Sequence, residues 1–418
     1  MKNIILSFVI CTSVIYGASG QTSRIPYRNY TFGYIESDSV LFRTYGDSST
    51  INCFYEKLDR LIFEGSGNLH IVHFGASHIQ AGIWPWQIRC NFENMSRCIE
   101  GGPGYVFPFS IAKTNHPYYY RSSYEGNWEI AKITDQNVSC PIGVGGITAI
   151  CSDSIAEIGI QFNKTADIYK HSFDKVSVFH SDIKGTYSVS LIPESAVNYS
   201  TFDSVSGATV FYLNRECDSL NLLFQKTDSG DDTLYFYGAY LEKMTNGIHY
   251  SGIGINGAST ISYFKAGRLQ QQLCCIDPDL IVFSIGVNDA SGKNFTGDRY
   301  ADNYWVLLSM VREVCPAAAI ILTTNSDFYY YRGSHNEHAG EVLQAMNQVA
   351  AEFGASVWDF HAAMGGNRSI NLWKQDGLAQ RDRIHFTQEG YTILARLFFE
   401  AIQKDFEQYI IRNALNQQ

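Results

Sequence analysis

The chain has 418 residues, a net charge of −10, and 45% hydrophobic against 17% charged residues. That balance excludes a disordered chain and argues against a nucleic-acid partner, while the length can hold two domains. The 27 Tyr and 26 Phe suit β-rich structure and sugar stacking, although tyrosine also simply fills strands.

The N-terminus reads as an export signal. Lys2 gives a short positive region, Ile4 to Tyr16 is mostly apolar, and Ala18-Ser19-Gly20 is a small-residue cleavage site. Gln21 is then the expected mature N-terminus, and residues 1–20 the leader. The apolar stretch is too short for a transmembrane span, and no later run of about 18 apolar residues replaces it. Cys11 lies inside that stretch without the small residues before it that lipidation requires. Ten cysteines become nine once it is removed. Export permits disulfides, and an odd count leaves one thiol free or bonded to another molecule. Cys90 with Cys98, and Cys140 with Cys151, are the local pairs to test first; connectivity stays open. No C-x-x-C pair appears, which argues against a zinc ribbon.

After a polar, Tyr-rich lead-in over 21–49, Ile51 to Phe63 has helical spacing closed by Gly65-Ser66-Gly67. Leu69 to Phe74 is apolar apart from histidines and predicts a buried strand ended by Gly75. Ser77 falls on the turn before a helical Ile79–Phe92 segment in which Pro85 sits in the first turns or makes a kink. Such a serine is a helix N-cap or a residue exposed at the carboxyl edge of a sheet. Gly101 to Tyr105 is glycine-rich but lacks the Gly-Lys-Ser/Thr ending of a phosphate cradle.

From His116 to Tyr240 short alternating runs are broken by Gly, Asn, Asp and Ser, which predicts an antiparallel sandwich inserted over 116–240. Strand and helix patterns then alternate. Ile248–Ile255 is followed by Asn256-Gly257, Ile261–Cys274 is helical, and Asp279–Ile285 ends in Gly286-Val287-Asn288-Asp289. A helix over Tyr300–Val314, a strand over Ala319–Thr324, a helix over Glu337–Phe353, a strand over Ser356–Phe360 and a helix over Gln388–Phe406 complete the pattern. This predicts an α/β fold, a doubly wound parallel sheet built from 21–115 and 241–418.

Ser77, Gly257 and Asn288 each follow a predicted strand, and Asp382-Arg383-Ile384-His385 precedes the last helix. In a doubly wound sheet such ends converge on one crevice. These four segments, in this order, resemble the blocks of SGNH (GDSL-type) hydrolases. The resemblance implies a flavodoxin-like sheet, Ser77 as nucleophile, Asp382 and His385 as its partners, and an oxyanion hole from Ser77, Gly257 and Asn288. Ala76 departs from the family's Gly-Asp-Ser and removes a carboxylate beside the site. Ser77-His78, the glycine-rich 101–109 segment and the β-rich insert further resemble peptidoglycan O-acetylesterases with an inserted carbohydrate-binding-module-like domain.

The expected function is therefore an exported, periplasmic or extracellular, serine esterase that removes O-acetyl groups from a glycan without metal or organic cofactor. An O-acetyltransferase would use the same residues, and Ala76 leaves room for a catalytically weak glycan-binding surface protein. Asp359, His361 and Asp376 read as loop residues. His73 and His78 flank Ser77 without an assigned role, and no H-x-x-x-H spacing suggests a metal.

Overall fold

The computed structural model describes residues 32–35, 41–96, 99–162, 171–181, 186–227, 232–330 and 333–416. The expected export signal, Cys11 and Cys98 lie outside the described residues. Residues 32–35 form a turn closed by the Ile35 N–H on the Phe32 carbonyl at 3.0 Å.

Seventeen strands follow among the described residues: β1 Phe42–Thr44, β2 Asn68–Gly75, β3 Gly104–Val106, β4 Tyr120–Glu125, β5 Trp128–Lys132, β6 Ile147–Cys151, β7 Ile155–Phe162, β8 Phe173–His180, β9 Tyr187–Leu191, β10 Val197–Asp203, β11 Ala208–Cys217, β12 Ser219–Lys226, β13 Leu234–Glu242, β14 Gly247–Gly254, β15 Leu280–Ser284, β16 Ala319–Thr323 and β17 Ser356–Trp358.

A mostly parallel sheet runs β1-β17-β16-β15-β2-β14, with only β1 antiparallel, against β17. Numbered among themselves, the five parallel strands read 2-1-3-4-5, the flavodoxin-like order, and its switch point lies between β2 and β15. The strands are apolar on both faces, as helices on both sides require. Helices Ser49–Glu64, Ile83–Glu93 and Gln388–Asn416 pack together, as do Leu269–Ile276, Gly297–Val314 and Ala339–Phe353.

Between β2 and β14 the chain builds two antiparallel sheets. One runs β10-β11-β8-β13-β6-β5 with β3 on β13; the other runs β4-β7-β12-β9. Alternation decides which side faces in: Ala156, Ile158, Ile160 and Phe162 of β7 and Leu220, Leu222 and Phe224 of β12 are buried, while their neighbours are less so. The faces meet at Phe224–Phe236 and Phe162–Phe173, with ring centroids 5.6 and 6.4 Å apart. Their buried side chains join those of the parallel sheet in one continuous cluster, which includes Phe74 and Phe283 as well as Phe224 and Phe236.

Local expectations shift in three places. The segment after Gly257 is a 3₁₀ turn, Thr260–Lys265, then a helix, Leu269–Ile276, because the Arg268 N–H leaves the helix to bond Ile142 O at 2.9 Å. Residues 104–106 are the strand β3. The last helix continues to Asn416, where Tyr409 is buried against Tyr55 and Phe406. The cysteine pairing is corrected: Cys90, Cys140 and Cys151 are free thiols. Cys151 points into the core from β6, and burial pushes its thiol pKa up.

Candidate active site

Gly75 ends β2 where its successor must turn back. A methyl group there would collide with the Ile79 side chain. The turn delivers Ser77 as the first residue of a one-turn helix, Ser77–Gln80, at the carboxyl edge beside the switch point. The Ala76 carbonyl accepts both the Ile79 and Gln80 N–H groups, at 3.1 and 2.9 Å. The Ser77 N–H is left without a protein acceptor among the described residues.

Ser77 Oγ lies 2.9 Å from His385 Nε2, although 308 positions separate them. His385 Nδ1 lies 2.8 Å from Asp382 Oδ2. Asp382 Oδ1 accepts the backbone N–H groups of Ile384 and His385, at 2.9 and 3.0 Å. Burial alone would raise this carboxyl, but the hydrogen bonds from His385 and the two backbone N–H groups outweigh it and hold Asp382 below its ordinary pKa. The turn is pinned from outside by Arg383, whose guanidinium stacks 3.7 Å over the Tyr329 ring while its carbonyl accepts the Tyr329 N–H.

The two other predicted segments meet on the neighbouring strands. Gly257 follows β14 with φ of +82°, a conformation glycine adopts without penalty. Its N–H has no protein acceptor among the described residues. Asn288 follows β15 and donates from Nδ2 to Ala258 O at 2.8 Å. An amide carries two donor hydrogens, so this bond orients the second. Asp289 accepts the Thr260 N–H and hydroxyl, the latter at 2.5 Å, and burial raises its carboxyl to about 6. All five residues named from sequence thus converge on the crevice between β14, β2 and β15 and the turn before the last helix.

Sequence reasoning missed the group that clamps the Gly257 turn. Gln80 is buried and accepts the Asn256 N–H at 2.7 Å through Oε1. Its Nε2 donates to the Asn115 carbonyl and side chain, both at 3.2 Å, and the Asn256 side chain donates to Asn115 Oδ1 at 2.8 Å. His78 is also buried. Its Nδ1 meets the Tyr391 hydroxyl at 2.8 Å and its ring lies 5.4 Å from His385. Burial, with His385 nearby, pulls its pKa down to about 3, so it stays neutral.

His73 points to the covering helices, between Trp84 and Phe398. Asp359 caps the Phe360–Ala363 turn by accepting the Ala362 N–H, and His361 stands 3.8 Å from Asp327. Asp376 closes the Ser369–Gln375 helix. No cluster of three metal-ligating side chains forms among the described residues.

Residues 223–393 match the GDSL-like Lipase/Acylhydrolase family. The chain is an esterase with a GDSL-like lipase/acylhydrolase domain. The matched stretch of the chain holds Gly257, Asn288, Asp382 and His385 and stops short of Ser77, which the β-rich sheets separate from it. A curated relative, the "Probable rhamnogalacturonan acetylesterase YesY" of Bacillus subtilis (strain 168), is 27% identical over 184 residues, covering 40% of this chain and 82% of the relative. The solved structure "Peptidoglycan O-acetylesterase in action, 5 min" superposes with a TM-score of 0.68 at 22% identity, over 88% of this chain and 99% of that one. That likeness is one of fold.

Proposed function

We propose that the protein is an exported serine acetylesterase that removes O-acetyl groups from a glycan. The observation that carries the reading is the line Ser77 Oγ, His385 Nε2, His385 Nδ1, Asp382 Oδ2, with spacings of 2.9 and 2.8 Å. The solved fold relative and the curated relative are both acetylesterases by name. In this reading His385 takes the Ser77 proton as Oγ bonds to the acetyl carbonyl carbon. The carbonyl oxygen gains the negative charge and meets the N–H groups of Ser77 and Gly257 and the free hydrogen of the Asn288 amide. Losing one such donor costs roughly 3–4 kcal/mol in the barrier. Collapse expels the sugar oxygen, which takes the proton from His385 and leaves an acetyl-enzyme. Water, deprotonated by His385, then releases acetate and restores Ser77.

Residues 1–20 act as the export signal in this reading, and the segment 116–240 serves as an inserted β domain that orients the polymer. No described helix is long and apolar enough to cross a membrane. The test is acetate release from O-acetylated polysaccharides by the purified mature chain. Ser77→Ala is expected to abolish it; release that persists in a folded Ser77→Ala protein would refute the reading.

A further inference from the structure

Beyond Asn288 the crevice continues into a cleft of about 310 Å³. Its walls include Asn288, of the proposed oxyanion hole, together with Lys293, Asn294, Phe295 and Arg299. Ser77 and His385 are not among its walls, so the cleft extends the site away from the reacting carbonyl.

The charge in this cleft runs against the rest of the molecule. The protein has a net charge of −10, yet the two cations here make no ion pair among the described residues. The Arg299 N–H bonds the Thr296 hydroxyl and its guanidinium reaches the Asn294 carbonyl, both at 3.4 Å, so the side chain folds back along the rim. Asp289, the carboxyl in the wall, is occupied by the Thr260 N–H and hydroxyl. Two cations without carboxylate partners in one cleft suit a sugar that presents a carboxylate, since guanidinium matches a carboxylate with two parallel N–H bonds.

We propose that this cleft is a subsite for an anionic glycan, a sugar carrying a carboxylate next to the O-acetylated residue, held by Arg299 and Lys293. The proposal rests on the acetylesterase reading and adds a substrate class to it. A uronic acid and a lactyl or peptide carboxylate on an amino sugar share this chemistry, and the experiment separates them.

The measurement is kcat/KM on O-acetylated oligogalacturonide, O-acetylated muropeptide and neutral O-acetylated xylo-oligosaccharide, for the wild type and the double variant Lys293→Gln, Arg299→Gln. The expected result is a wild-type preference for one or both charged probes. The double variant should cut the ratio of charged to neutral turnover by about tenfold, the weight of one charge-assisted hydrogen bond. The charged probe whose ratio falls identifies the source of the carboxylate. Charged and neutral probes changing equally, or no wild-type preference, overturns the subsite. Absence of 4-nitrophenyl acetate turnover by the wild type would instead sink the esterase reading. Calorimetric binding of unacetylated oligogalacturonide and muropeptide to both proteins then decides the subsite by itself: affinity for either that weakens in the variant supports it, and equal or absent binding overturns it.

Discussion

Asp382 divides its two oxygens between the His385 ring and the backbone of its own turn. An Asn in its place keeps an oxygen for the Ile384 and His385 N–H groups but turns an NH₂ towards Nδ1, which forces the wrong imidazole tautomer. Asp382→Asn is therefore expected to fold normally and to lose kcat by as much as ~10⁴-fold on an acetyl ester, if the serine-protease case transfers. His385→Ala should be nearly inactive. Both are read as kcat on 4-nitrophenyl acetate with folding checked by circular dichroism. Undiminished turnover in His385→Ala would remove it as the base, and in Asp382→Asn would demote only the carboxylate. The places of Ser77, Gly257, Asn288, Asp382 and His385 in the fold were legible because each follows a strand or precedes a helix in a recognisable order. Gln80 and His78 were not, because their importance comes from partners at 115, 256 and 391 that no local pattern encodes.

The Ser77–Gln80 helix is a single turn that bears the proposed nucleophile at one end and a clamp at the other. Gln80→Leu keeps the volume but removes the side-chain oxygen that accepts the Asn256 N–H, one residue before Gly257. The expected outcome is a fall in kcat of about tenfold, the weight of one lost hydrogen bond, with a smaller change in KM. Gln80→Glu keeps an acceptor for that N–H and should recover part of the loss. A drop in thermal stability with unchanged kcat would make Gln80 structural only. At this scale, periodicity located all five parallel strands, since buried strands are apolar runs of characteristic length. It did not mark out β1, β3, β4, β5, β6 and β10, of which β1 and β3 are short and β4, β5 and β10 lie at sheet edges, and it ran the Ile261–Cys274 helix through the break that Ile142 imposes. Tertiary hydrogen bonds, absent from any window of sequence, decide such breaks.

Across the whole molecule, the antiparallel sheets buttress the proposed site. Val144 N–H bonds Gln272, Lys265 reaches the Asp135 carbonyl, and a methyl group on Gly257 would lie 4.0 Å from Thr134. Excising residues 116–240 is thus expected to abolish hydrolysis of small esters as well as of polysaccharides, and to yield protein with a broadened or lost thermal transition. A folded excision variant that retains small-ester turnover would show the sheets to be dispensable for the chemistry. Within the parallel sheet, Tyr250, His73, Ser284 and Thr323 form one chain of hydrogen bonds across β14, β2, β15 and β16, with spacings of 2.9, 2.7 and 2.9 Å. A slip of one residue by any of these strands would turn its member to the opposite face and break the chain. The chain also sets a clock. β2 is synthesised early, but both of its neighbours, β14 and β15, come only after the antiparallel sheets. The strand that leads into Ser77 is among the first made and can be locked in place only after residue 284 has emerged, so the protein acquires its proposed nucleophile late in its own folding.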